Sequence, residues 1–318
     1  MFNNDFSKFL KRKYKDSFDV GGYHYTNKIL GFLFNKKGRL KMPIDMAYDG
    51  LLITGCQKSY RRRLAALYAK ELVKRGNKVL FITDALREEQ YRAKFEAQTF
   101  KKHIGLDEFD KGLVSIDKFT GEFNREVFDN GALLSILTDD TPCKWRDREA
   151  QKEYNAKLIQ IMGEIVESKI SPYTLDKAKP RLVVFVDDSA PDDKEYSNAL
   201  FKAFRSLRSA GDYGFVACTE WYERYIGQEH LFKQFVFFRI KDTTMMREVF
   251  SFFDKRCMQS KYLVDERDLR LLHPKEFHYT VGNYCGWSFK TTFDAGGCEC
   301  CLPEPEDYYL FDYEGSSS

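Results

Sequence analysis

Gly55 closes the apolar run Gly50-Leu-Leu-Ile-Thr54, and Lys58, Ser59, Arg61 and Arg62 follow it closely. A glycine at the end of a strand, with lysine and hydroxyl side chains and a helix directly behind it, is the layout in which loop amides and a helix N-terminus hold phosphate. Another chemically capable pair, Asp187-Asp188, ends the most apolar run of the chain, Leu182-Val-Val-Phe-Val186. Adjacent carboxylates at the carboxyl end of a buried strand can hold Mg²⁺ and orient an attacking water. Thr219-Glu220 ends a third apolar run, Gly214-Phe-Val-Ala-Cys218, with a hydroxyl and a carboxylate side by side.

The loop does not satisfy the phosphate-loop pattern G-x-x-x-x-G-K-[ST]. Counted in eight positions from Gly55 it reads GCQKSYRR, with Tyr60 at the second glycine, Arg61 at the lysine and Arg62 at the hydroxyl residue. The other register keeps Lys58-Ser59 as the lysine and hydroxyl pair and shortens the loop by three residues; it is preferred because it keeps both side chains. Fewer amides wrap a triphosphate less completely, so either register describes an eroded loop. For the acid pair the competing reading is a buried strand that runs into an Asp-rich turn, DDSAPDD. Order favours the functional reading, because the acid pair follows Gly55 by 132 positions and is itself followed by a helix and the Thr219-Glu220 strand.

The elements that must position these residues alternate. Leu64, Leu67, Tyr68 and Leu72 recur at helical spacing after the loop, Gly76-Asn77 stops that helix, and Lys78-Val-Leu-Phe-Ile-Thr83 is a strand, which makes a βαβ unit. Residues 85–100 read as helix, 112–116 as strand, 147–169 as a long amphipathic helix, and 196–209 as a helix carrying Leu200, Phe204 and Leu207 inward. Residues 234–238 read as strand and 243–258 as helix. Strands alternating with helices predict an α/β fold with a mostly parallel sheet covered on both faces. After Pro274 the pattern changes to an antiparallel hairpin, 277–281 with 287–293, ahead of a Cys-rich tail. The expected division is a basic N-terminal arm over 1–42, an α/β domain over 43–272 and a β-hairpin appendage with an acidic tail over 273–318.

Four stretches carry a resemblance: DGLLITGCQKSYRRRLAALYAKEL at the loop; KLIQIMGEIVESK ahead of RLVVFVDDSA; LFKAFRSLRSAGDYGFVACTEW; and FVFFRIKDTTMMREVFSFF. In this order they resemble the FtsK–HerA class of additional-strand P-loop ATPases, which pump DNA, and within it the genome-packaging ATPases of large DNA viruses. The resemblance covers residues 44–255 and implies a P-loop NTPase fold, ATP and Mg²⁺ as cofactors, DNA as a partner and a homo-oligomer or larger assembly. Lys58 and Ser59 would contact phosphate and Mg²⁺, Asp187 would hold the metal and Asp188 would polarise water. The family's sensor glutamine appears here as Thr219 or Glu220. Arg205, Arg208 and Arg224 are candidates for an arginine finger in a ring, against the plainer reading of surface arginines. The eroded loop implies an alternative, a pseudo-ATPase that keeps the fold as a scaffold or assembly subunit.

Composition bounds these readings. The 318 residues are 43% hydrophobic with a net charge of +3, which describes a globular chain and excludes a protein that coats nucleic acid by bulk charge. Charge is unevenly placed: residues 1–42 hold ten Lys/Arg against three Asp, and the last twenty residues hold six acids and no base. A basic arm that binds nucleic acid through phosphate contacts, with Tyr14, Tyr23 and Tyr25 for stacking, is therefore a third reading. No run is apolar enough to span a bilayer and the N-terminus lacks a signal-peptide pattern, so an intracellular, cytoplasmic protein is expected, associated with a virion or assembly site if the viral resemblance holds. Eight scattered cysteines suit reduced thiols. Cys285, Cys298, Cys300 and Cys301, spaced C-x12-C-x-C-C, form a candidate zinc set, although the usual C-x2-C pairs are missing and unpaired thiols compete with it.

Overall fold

The structure, a computed structural model, describes residues 16–24, 38–56, 60–75, 77–83, 113–115, 133–137, 156, 159–160, 163, 182–188, 194–210, 213–256, 269–281 and 289–293. The described strands are β1 (Ser17–His24), β2 (Gly38–Pro43), β3 (Leu51–Thr54), β4 (Lys78–Thr83), β5 (Leu113–Ser115), β6 (Leu133–Leu137), β7 (Leu182–Asp188), β8 (Tyr213–Thr219), β9 (Gln234–Phe238), β10 (Glu276–Val281) and β11 (Phe289–Phe293). Three helices accompany them: α1 (Arg61–Lys74), α2 (Lys194–Ala210) and α3 (Thr243–Arg256). Ala156, Ile159, Gln160 and Gly163 are helical, within the helix expected over 147–169, whereas the helix expected over 85–100 lies outside the described residues.

The strands form one sheet in the order β2-β1-β11-β10-β9-β3-β8-β7-β4-β6-β5. From β9 to β5 every pairing is parallel, and from β9 to β2 every pairing is antiparallel. Parallel strands are buried on both faces, which is why β3, β7, β8 and β9 read as unbroken apolar runs. Alternate side chains then feed two cores. Leu51, Ile53, Phe185, Val216 and Val236 meet the α1 stripe of Leu64, Ala65, Tyr68, Ala69 and Leu72. Leu52, Val184, Val186, Ala217 and Phe235 meet Tyr196, Leu200, Phe204 and Leu207 of α2. On that second face Phe204 stacks on Phe215 at 4.6 Å between centroids, and Phe232 packs edge-on against both rings.

Two places differ from the sequence expectation. Residues 17–24 and 38–43, assigned to a basic arm, are strands paired with each other and, through β1, with β11. Phe18, Val20, Leu40 and Met42 turn inward while Asp19, Arg39 and Lys41 face solvent, so the basic side chains decorate a sheet edge whose other side is core. The hairpin expected as an appendage forms as β10–β11, with Phe277 opposite Thr291, but β10 also pairs with β9, Phe277 lying opposite Phe238. Phe277, Tyr279 and Val281 are buried, so the hairpin is part of the central sheet rather than an addition to it.

The segment leading into β3 is held by close backbone approaches. Gly50 has φ +85°, and a Cβ there would lie 2.7 Å from Leu231 O. At Gly214 a Cβ would lie 2.6 Å from Ala47 O, so the 3-10 turn Asp45–Asp49 sits directly on the start of β8. Tyr68 on α1 donates from its hydroxyl to Pro43 O at 2.6 Å and Ile44 O at 3.2 Å, which fixes α1 over the end of β2. Among the described residues no helix is long and apolar enough to cross a membrane.

Candidate functional site: the carboxyl ends of β3, β8 and β7

Three neighbouring parallel strands end in register. Thr54 of β3 lies opposite Thr219 of β8, and Thr219 lies opposite Asp188 of β7. At about 4.8 Å between strands, the backbone of the acid pair stands roughly 10 Å from the end of the loop strand, with β8 between them. Crevices outside the carboxyl ends of parallel strands are where α/β sheets hold ligands. The sequence candidates Gly55, Glu220, Asp187 and Asp188 therefore converge on one edge, although only the backbone of Asp187 and Asp188 is described.

Six residues, Gly55 to Tyr60, separate β3 from α1, so Arg61 stands at the first helical position. Its side chain turns back under the loop and is 1% exposed. Nη1 donates to Gly55 O at 3.3 Å and to Cys56 O at 2.9 Å, and Nη2 lies 3.6 Å from Glu220 Oε2. Arg62 is half-buried on the same turn. Tyr60, at the position of the pattern's second glycine, is a core residue: it is 5% exposed, its amide donates to Pro274 O at 3.2 Å, and the guanidinium of Arg63 lies 4.1 Å from its ring centroid.

The first loop amides are already engaged. Gly55 N donates to Thr219 O at 3.2 Å and Cys56 N donates to Arg239 O at 2.9 Å, which staples the loop to the ends of β8 and β9 and leaves neither amide for a phosphate. Gly55 itself is extended, with φ 158°. Other donors are uncommitted: among the described residues Thr54 Oγ1, Arg61 Nε and Arg239 Nε are buried without a hydrogen-bond partner. Such atoms cost about 1–3 kcal/mol each when left unsatisfied, and a site that receives an anion explains why they are kept. The residues present thus fit the phosphates of a nucleotide through side chains more than through amides.

Of the two sensor candidates, Thr219 is fully buried and its Oγ1 accepts the amide of Trp221 at 2.8 Å, while the Glu220 side chain faces Arg61. Arg224, a candidate finger, is 8% exposed with its guanidinium 5.0 Å from the Tyr196 ring centroid, so it packs inside its own chain. Arg205 and Arg208 are exposed and donate within the chain to Gln228 Oε1 and His230 O. Lys58 and Ser59 lie outside the described residues, as do Cys285, Cys298, Cys300 and Cys301; among the described residues no cluster of metal-binding side chains occurs. Sequence reasoning missed Thr54 and Arg239. Their only signal is position, as the last residue of one apolar run and the first charge after another, FVFFR.

Comparison of the sequence with protein-family models and with curated proteins returns no match. Among solved structures, VirB4 of Thermoanaerobacter pseudethanolicus aligns with a TM-score of 0.51 at 9% identity, covering 87% of this chain and 97% of that one. The bacterial conjugative coupling protein TrwB, in an unbound form, aligns with a TM-score of 0.50 at 12% identity, covering 91% of this chain and 92% of that one. The genome packaging NTPase B204 from Sulfolobus turreted icosahedral virus 2, in complex with AMPPCP, aligns at 0.43 and 12% identity, covering 78% of this chain and 100% of that one. The sheet order, with a strand inserted between the loop strand and the acid strand, and the likeness to VirB4 and TrwB together show that this chain has the fold of the P-loop NTPases, in the form the resemblance to the FtsK–HerA class implied.

Proposed function

We propose that the chain is an ATPase of the DNA-translocation or packaging kind, with nucleotide held at the carboxyl ends of β3 and β7. The observation that carries this reading is the register of Thr54, Thr219 and Asp188 across three adjacent strands, which puts the end of the loop strand and the acid pair on either side of the end of β8. The resemblance to the FtsK–HerA class supplies the translocation and packaging part of the reading, and the likeness of fold to VirB4 and the conjugative coupling protein TrwB supports it by analogy. Bound ATP supplies the phosphoanhydride whose hydrolysis drives movement. In the eight-position register Arg61, and in the shorter register Lys58, would contact its phosphates, while Asp187 would hold Mg²⁺ and Asp188 would orient water. Assembly as a homo-oligomer on DNA belongs to the same proposal. The test measures ATP binding and DNA-stimulated hydrolysis in wild type, Lys58→Ala, Arg61→Gln and Asp188→Asn. Wild type binds and hydrolyses, Asp188→Asn binds but hydrolyses roughly a hundredfold more slowly, and whichever of the two cation variants loses binding identifies the register. Wild type that binds no nucleotide at millimolar ATP overturns the proposal.

A second reading, a pseudo-ATPase subunit, is favoured by one specific observation: the Gly55 and Cys56 amides are spent on strand ends and a buried tyrosine fills the glycine slot. The same assay separates the two, since this reading expects a folded chain with no turnover at any DNA concentration.

A further inference from the structure

We infer that Glu220 is the built-in counter-ion of Arg61 and competes with nucleotide phosphate for it; this rests on the nucleotide-binding reading above. Arg61 is more deeply buried than any other charged side chain among the described residues, with 2% of its side chain exposed. A buried guanidinium needs compensating charge as well as hydrogen bonds. The carbonyls of Gly55 and Cys56 supply dipoles only, so the Glu220 carboxylate, itself 14% exposed, supplies the charge.

The pair is loose. At 3.6 Å between Nη2 and Oε2 it exceeds the 2.7–2.9 Å of a charge-assisted hydrogen bond, and Arg61 Nε has no hydrogen-bond partner among the described residues. A phosphate oxygen reaching this guanidinium finds an open donor and a carboxylate that repels it. Binding therefore requires Glu220 to yield, and Glu220 opposes binding until it does. Glu220 immediately follows β8 and precedes Trp221, which is 40% exposed, so it sits at the end of the strand rather than inside the sheet. This reverses the role the sequence suggests: a sensor carboxylate assists turnover, whereas a counter-ion restrains binding.

The experiment titrates full-length wild type, Glu220→Gln, Glu220→Ala and Arg61→Gln with Mg-ATP and, separately, with inorganic pyrophosphate, by calorimetry, after thermal melting has established that each variant is folded. Both Glu220 variants are expected to bind each probe about tenfold more tightly than wild type, because a negative charge beside the incoming phosphate is removed, and Arg61→Gln is expected to lose binding of both. If wild type binds but the folded Glu220 variants bind equally or more weakly, the counter-ion role is overturned and the nucleotide reading stands. If neither wild type nor any Glu220 variant binds either probe, the nucleotide reading is overturned and this inference falls with it.

Discussion

Replacing Tyr60 with glycine writes part of the glycine-rich pattern back into the loop, yet the structure expects it to weaken the protein. The ring is 5% exposed and belongs to the core beneath α1, with Arg63 at 4.1 Å and Lys275 at 5.7 Å from its centroid. A buried tyrosine removes roughly 200 Å² from water, which at about 25 cal/mol per Å² is about 5 kcal/mol, and a compact unfolded state lowers this to about 3–4 kcal/mol. The closer cation contact adds about 0.5–1 kcal/mol. Helix initiation adds nothing to the loss: Tyr60 O accepts the amide of Leu64 at 3.0 Å, so Tyr60 is the N-cap of α1, where glycine is well tolerated. The expected net is about 4 kcal/mol of lost stability, read by equilibrium urea unfolding followed by circular dichroism. Tyr60→Phe, which keeps the ring, is expected to stay within about 1 kcal/mol of wild type. A Tyr60→Gly protein that unfolds within about 1 kcal/mol of wild type would refute the reasoning, because it would show that the ring contributes no packing.

Two further changes probe the frame around the loop. Gly214→Ala drives a Cβ to 2.6 Å from the backbone oxygen of Ala47 and is expected to lower stability by about 1–3 kcal/mol, measured by the same unfolding assay; an unchanged midpoint would mean the Asp45–Asp49 turn is not held against β8. Tyr68→Phe deletes the hydroxyl that donates to Pro43 O and Ile44 O and is expected to cost about 1 kcal/mol while leaving the α1 packing intact; a neutral result would show that these carbonyls find other donors.

The loop strand, the acid strand and the helices behind them were legible because buried parallel strands are unbroken apolar runs and amphipathic helices repeat at fixed spacing. The run Leu182–Val186 needs no partner to be recognised. β1 was hidden for the opposite reason: in SFDVGGYH only Phe18 and Val20 mark the inward face before two glycines interrupt the alternation, and a charge count over residues 1–42 reads the basic outward face without the apolar one. The β10–β11 hairpin was legible as a hairpin, but its place beside β9 is a pairing between distant segments, which local pattern does not encode. The same limit applies at the site. Arg61 and Glu220 were each candidates, yet 159 positions separate them in sequence, and only the adjacency of β3 and β8 brings their side chains to 3.6 Å.

The pairing of β1 with β11 sets a timetable for synthesis. Gly21 pairs with Phe293, so the inner edge of β1 waits for a strand made 272 residues later. At the usual 5–20 residues per second that interval is roughly 14–54 s. The parallel half needs only residues up to β9 and can close first, leaving β1 and β2 as a two-stranded ribbon with one unsatisfied side. On its other side, where β2 has no second strand neighbour among the described residues, the ribbon presents Arg39 and Lys41, charges that discourage strand addition from a second chain during this wait.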